Sequence, residues 1–222
     1  MYQLIGMFHT DQMVPRMTIT AERHESKTRF LQAALQVIRA KGYTATTVED
    51  VCEAAGLTKG SFFHHFDSKE ELALAAADYW TEGAGALFAS APYHVRADPL
   101  ERLLAYVDFR KALLTGEIAD FTCLTGTMVQ EVYETHPAIR DACDRSISRH
   151  VEMLEPDIAE AMRTYGVIGG WTARSLALYT QAVLQGSFIL AKAKGGPAVA
   201  EDCLDHLRRH IEMLFQQRKS TA

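Results

Sequence analysis

Apolar residues along this chain recur mostly at three- and four-residue intervals, the period of an α-helix. Phe30, Leu31, Ala34, Leu35 and Ile38 form one stripe, predicting a helix over 26–41 that Gly42 ends. Val48, Val51, Cys52 and Ala55 share a face of a short helix over 48–55, with Thr47 as N-cap and Gly56 as stop. Thr58 caps a third helix over 59–66, where Phe62 and Phe66 point inward. Ser68 and Glu71 form a capping box that opens a long helix over 70–88, with Leu72, Ala75, Ala76, Tyr79 and Trp80 inside.

The remaining pattern is also helical. A loop near Pro92 gives way to a helix with Asp98 as cap, Pro99 in first position, and Leu100, Leu103, Leu104, Val107 and Leu114 as its stripe. Further helices are predicted over 120–135, 137–165, 172–194 and 199–217. Pro156 must kink or break the second of these. No segment reads as a strand, so the fold class is all-α. The predicted domains are a tail over 1–25 (with Met17 an alternative start), a helix-turn-helix unit over 26–72, and a larger helical domain over 73–222.

Two short helices joined by a glycine turn form a unit that lays its second helix in the DNA major groove. Any small helical domain can contain such a unit, so the exposed residues matter. Here they are basic, small, polar and aromatic rather than acidic, which suits phosphates and base edges. The charge distribution agrees. The net charge is −5, yet residues 16–69 hold eight Lys or Arg against six Asp or Glu. Arg23, His24 and Lys27 are candidates for a short arm toward DNA.

Gly42-Tyr43, Thr46-Thr47-Val48 and the run from Ala55-Gly56-Leu57-Thr58-Lys59-Gly60-Ser61 to Leu72 resemble the N-terminal domain of the TetR family of repressors, over residues 26–75. The resemblance implies a homodimer through the last two helices, double-stranded operator DNA as partner, and a C-terminal domain that binds a small-molecule effector and thereby releases DNA. It implies phosphate contact for Thr47, His65 and Lys69, and base reading for Lys59, Gly60 and Ser61. His64 fits either role. Phe63 stands where the family commonly has Tyr, which removes one hydroxyl.

The aromatic and thioether residues Tyr106, Phe109, Phe121, Met128, Tyr133, Met162, Tyr165 and Trp171 are the candidate ligand pocket, or ordinary core. Thr125, Gln130 and Tyr133 are its candidate polar groups. No cluster of charges is evident, so the expected effector is apolar and neutral or weakly polar. With 48% hydrophobic residues the chain can bury a large core, and Ala182, Gly186 and Ser187 would admit a partner helix closely.

Four scattered cysteines without a CxxC point to a reducing cytoplasm rather than a disulfide framework. No apolar run reaches membrane-spanning length, and no signal peptide is predicted. Nucleotide-binding and hydrolase motifs are lacking, so an enzyme is not expected. No cofactor is called for. Adjacent His64 and His65 diverge on a helix, and Cys203, His206 and His210 lack a fourth ligand, so no metal site is assigned. Control by thiol oxidation, at Cys123 for instance, by a metal or by a protein partner is the alternative to a small-molecule inducer.

Overall fold

This computed structural model describes residues 19–168 and 170–216, with side chains from Glu25 onward. Among these residues there are ten α-helices, one short 3-10 helix and no strand. The helices are α1 (Ile19–Lys41), α2 (Val48–Ala55), α3 (Lys59–Phe63), α4 (Lys69–Ala89), α5 (Pro99–Ala112), α6 (Ile118–Phe121), α7 (Leu124–Val132), α8 (Pro137–Thr164), α9 (Ala173–Lys194) and α10 (Ala198–Gln216). Pro92–Val95 forms the 3-10 turn.

Local chemistry sets most ends. Thr47, Thr58, Ser68, Asp98 and Thr172 each accept an N–H from the third residue of the helix they open. Gly56 and Gly195 end α2 and α9 in the left-handed conformation, at φ 61° and 75°.

Four expectations change. Helix α1 begins at Ile19, inside the stretch read as a tail; residues 1–18, with Met17, lie outside the described residues. Helix α3 is five residues long, because His64 already caps it and the chain turns there. The helix expected over 120–135 is two. Thr122 is extended (ψ 158°), and Cys123 restarts the chain as N-cap of α7, its Sγ accepting the Gly126 N–H at 3.3 Å. Helix α8, by contrast, runs unbroken through Pro156. Val151, Leu154, Ile158 and Ala161 are buried on either side of the proline, and this packing offsets the lost backbone bond.

The core has two parts. One lies among α4, α5, α8, α9 and α10. The other holds the head residues Phe30, Phe62, Phe66 and Leu72 together with Leu124, Met128, Val132, Ile139, Ala142 and Cys143. The boundary expected at Leu72 is therefore not a boundary in packing: α7 and the start of α8 complete the head.

Candidate DNA-reading head and ligand cavity

Three aromatic rings set the reading head. Phe30 of α1 meets Phe62 of α3 edge-on at 5.6 Å, and Phe66 closes the group at 5.5 Å from Phe62. With Phe62 turned inward, the rest of α3 faces out. Lys59 and Gly60 are exposed at its start and Ser61 is half-buried. Phe63, 55% exposed, and His64 follow at its end. Lys59 forms an ion pair with Glu49 of α2. Thr47 is exposed, and its hydroxyl donates to Asp50 Oδ2 at 2.6 Å. The Lys41 ammonium, with Thr47, holds the Asp50 carboxyl well below the usual carboxylate range.

Two residues expected at phosphates are turned inward. Lys69 Nζ donates to the carbonyls of Tyr43 (3.1 Å), Thr44 (3.4 Å) and Thr46 (2.9 Å), which uses all three of its protons. It also sits 4.4 Å from the centre of the Tyr43 ring, and burial lowers its pKa. Lys69 therefore clamps the α1–α2 turn rather than reaching outward. His65 shares a 2.6 Å hydrogen bond with Ser26 of α1 and lies edge-on to Phe30. Of the candidate arm, Lys27 Nζ sits 5.6 Å from the Phe66 ring centre, while the Arg23 and His24 side chains lie outside those described.

The head is tied to the body at three points. Glu131 of α7 accepts the Thr44 N–H at 2.7 Å. This carboxylate occupies the space that a Cβ at Gly42 would need, and Gly42 has φ 89°. The His136 ring meets Tyr43 edge-on at 5.4 Å. Arg39 of α1 donates to the carbonyls of Asp120 (3.1 Å) and Thr122 (3.5 Å), and its guanidinium stacks 5.0 Å over Trp80. The extended Thr122 that splits α6 from α7 is thus one of the acceptors Arg39 engages.

Arg39 also lines a cavity of about 870 Å³ bounded by α1 and by α4 through α9. Trp80, Phe88, Phe121, Met153 and Phe188 form much of its apolar wall. Arg110, His150, Gln181 and Gln185 are polar parts of it. His150 Nε2 shares a 2.6 Å hydrogen bond with the Tyr106 hydroxyl. Burial, and then the Arg110 charge, pushes the His150 pKa down to about 3, so its ring is neutral near pH 7.

Comparison with known proteins finds the same two parts in the same order. Residues 30–76 match the family model for bacterial regulatory proteins of the tetR family, and residues 99–207 match the tetracyclin repressor-like C-terminal domain. The chain belongs to the TetR family. A relative in Lactococcus lactis, an uncharacterized HTH-type transcriptional regulator in the lacX 3' region, is 25% identical over 86% of this chain and 96% of its own. A 37% identical match to the uncharacterized HTH-type regulator YerO of Bacillus subtilis is confined to 57 residues, or 26% of this chain and 20% of that protein. The crystal structure of a TetR transcriptional regulator from Chloroflexus aurantiacus superposes with a TM-score of 0.75 at 25% identity, covering 86% of this chain and 96% of that one. This TetR-family protein is a DNA-binding transcriptional regulator.

The TetR-family cavity is built from other residues than the sequence suggested. Of the eight candidates Phe121 lines it, as does the polar candidate Thr125. Tyr106 and Phe109 stand behind the wall, the first on His150 and the second edge-on to Phe88 at 5.7 Å. Met128 is fully buried in the head-side core, and Met162 packs against the other. Tyr165 donates to Asp98 at 2.8 Å, and Tyr165 and Trp171 both stack on Phe215 of α10. Tyr133 is 54% exposed at the end of α7. Gln130 donates to the Gly126 carbonyl at 2.6 Å. The residues missed were Arg39, Trp80, Phe88, Arg110, His150 and Gln181. Gln181 carried a signal, an amide on an inner face of α9 that is otherwise apolar apart from Thr180 and Ser187.

Among the described residues no three His, Cys, Asp or Glu side chains are placed to hold a metal, and His210 instead packs on Tyr179 at 5.3 Å. Cys52 and Cys143 are buried, and burial pushes the Cys143 thiol up to about 12. Cys123 lines the cavity. No described helix is long and apolar enough to cross a membrane.

Proposed function

We propose that this protein is a cytoplasmic repressor that leaves a pseudo-palindromic operator when a small molecule enters the cavity. Thr47, Lys59, Gly60, Ser61, Phe63 and His64 are its DNA-contacting residues. One observation carries the reading: Arg39 belongs to α1 of the head, yet it lines the cavity and holds backbone carbonyls of the body. A ligand against Arg39 and Trp80 acts directly on the link between body and head. Release requires that the ligand bind one head position better than the other; equal affinity for both would shift nothing.

The dimer forms through α9 and α10. Leu178, Tyr179, Ile189 and Leu190 are 42–48% exposed on α9, and Gly186 beside them leaves open space. Two such helices from each protomer make a four-helix interface.

The test is selection of duplexes from a random library, followed by a screen for compounds that bind the protein and release the selected DNA. A dyad-symmetric consensus and at least one releasing compound are expected. A consensus without symmetry would overturn the paired-head arrangement. Compounds that fill the cavity without changing DNA affinity would overturn small-molecule induction.

A second reading, thiol control, rests on Cys123. It lines the cavity and caps α7, beside the Arg39 attachment at Thr122. Loss of DNA binding on mild oxidation, reversed by thiol and abolished in Cys123→Ser, would favour it.

A further inference from the structure

The polar wall of the cavity is one-sided. Arg39, Arg110 and Arg149 line it, against Asp120 as the one acidic lining residue. The Asp120 carboxylate is already engaged, accepting the Glu117 N–H at 2.8 Å. Arg149 is exposed. Among the half-buried arginines Arg110 is the unusual member, since Arg102 and Arg208 pair with carboxylates and Arg39 with backbone carbonyls. Half-buried Arg110 has neither an ion-pair nor a hydrogen-bond partner among the described residues; its guanidinium lies 5.0 Å over the Phe88 ring. Neutral His150 beside it supplies no counter-charge.

A cation held only over a ring lacks the hydrogen-bonding partner that a guanidinium ordinarily takes. An occupant that brings an anionic acceptor to Arg110 supplies it.

We propose that the effector is an amphiphilic organic anion: an aromatic or aliphatic body against Trp80, Phe88 and Phe188, with a carboxylate or comparable acidic group on Arg110. The inference rests on the reading of this cavity as the effector site, and it replaces the neutral effector expected from sequence. Arg110 confers the preference for charge.

Two fluorescent probes test this on the full-length protein: 1-anilinonaphthalene-8-sulfonate and N-phenyl-1-naphthylamine, which share a body and differ in the sulfonate. The neutral probe is the more hydrophobic, so a bare apolar cavity would favour it. The sulfonate is expected to bind at least about tenfold more tightly. Arg110→Gln should cut its affinity about tenfold while leaving the neutral probe within about twofold, and Arg110→Lys should restore most of the difference. A neutral probe bound as tightly as the sulfonate, or weakened equally by Arg110→Gln, would overturn the anionic class and leave the cavity as an effector site. Ala84→Phe narrows the cavity and should weaken both signals. Binding of neither probe to the native protein, or of both undiminished in Ala84→Phe, would overturn the cavity reading itself. If Arg110→Gln does not fold, the two probes on the native protein decide alone.

Discussion

Lys69 and Lys59 carry the same charge ten residues apart in one reading head, and the structure gives them opposite work. Lys69 has three carbonyl acceptors and the face of Tyr43, so its loss should be felt in folding. Lys69→Met is expected to lower unfolding free energy in urea by about 1–3 kcal/mol, the scale of charge-assisted hydrogen bonds, and to leave the salt dependence of DNA binding unchanged. Lys59 is exposed, and an exposed pair such as Lys59–Glu49 contributes about 0–1 kcal/mol. Lys59→Ala should therefore leave stability nearly untouched but lower the slope of log affinity against log salt by about 1, as measured by fluorescence anisotropy at several salt concentrations. His150 makes a different demand. Its pKa is about 3 in the folded protein against an ordinary 6.5, so between these values the unfolded chain binds the extra proton. Stability is complete above pH 6.5 and falls with pH toward 3, by at most about 1.4 kcal/mol per pH unit from this residue. His150→Phe should flatten that limb in urea melts between pH 4 and 7; an unchanged limb would mean the ring is not held neutral.

Elements whose ends carry their own chemistry were legible from sequence. Helix α2 lies where Thr47 and Gly56 put it, and α9 is bounded by Thr172 and Gly195. Elements bounded by long-range contacts were not. The break at Thr122 accompanies hydrogen bonds from Arg39, more than eighty residues earlier, and no local pattern announces them. The end of α3 was misplaced because Phe66 packs inward from a turn as well as it would from a helix. Of the kink or break implied by Pro156, the break does not occur: sequence gives the local cost of the proline but not the burial around it. Helix α9 shows what an element with two apolar faces is for. Its inner face carries Leu176, Leu184 and Phe188, while Leu178, Tyr179, Ile189 and Leu190 remain on the outside. Leu190→Asp is expected to give a monomer in sedimentation velocity and to weaken binding to a two-half-site duplex by about 100-fold, because linked heads raise each other's local concentration. Binding to a single half-site should change little. A dimer that survives Leu190→Asp would move the interface elsewhere.

At the scale of the whole molecule, the head's surface was more legible than the cavity. The outward residues of α3 follow from Phe62 turning inward, which the helical period already implies. A cavity is a property of how seven helices meet. Its aromatic lining could not be told from core, and its cations lie on helices read as belonging to different domains. Met128 shows the same limit, since it was assigned to the ligand and instead seals the head. That sealing bears on how the protein is made. The head is translated first, but the core that holds Phe30 and Phe66 also takes in Leu124, Met128, Val132, Ile139, Ala142 and Cys143. A nascent chain that has delivered only its first 72 residues still lacks a wall of its core. Helices α1 to α3 must wait on the ribosome with apolar groups uncovered until α7 and the first turns of α8 emerge, an interval in which they are exposed to chaperones and to neighbouring chains.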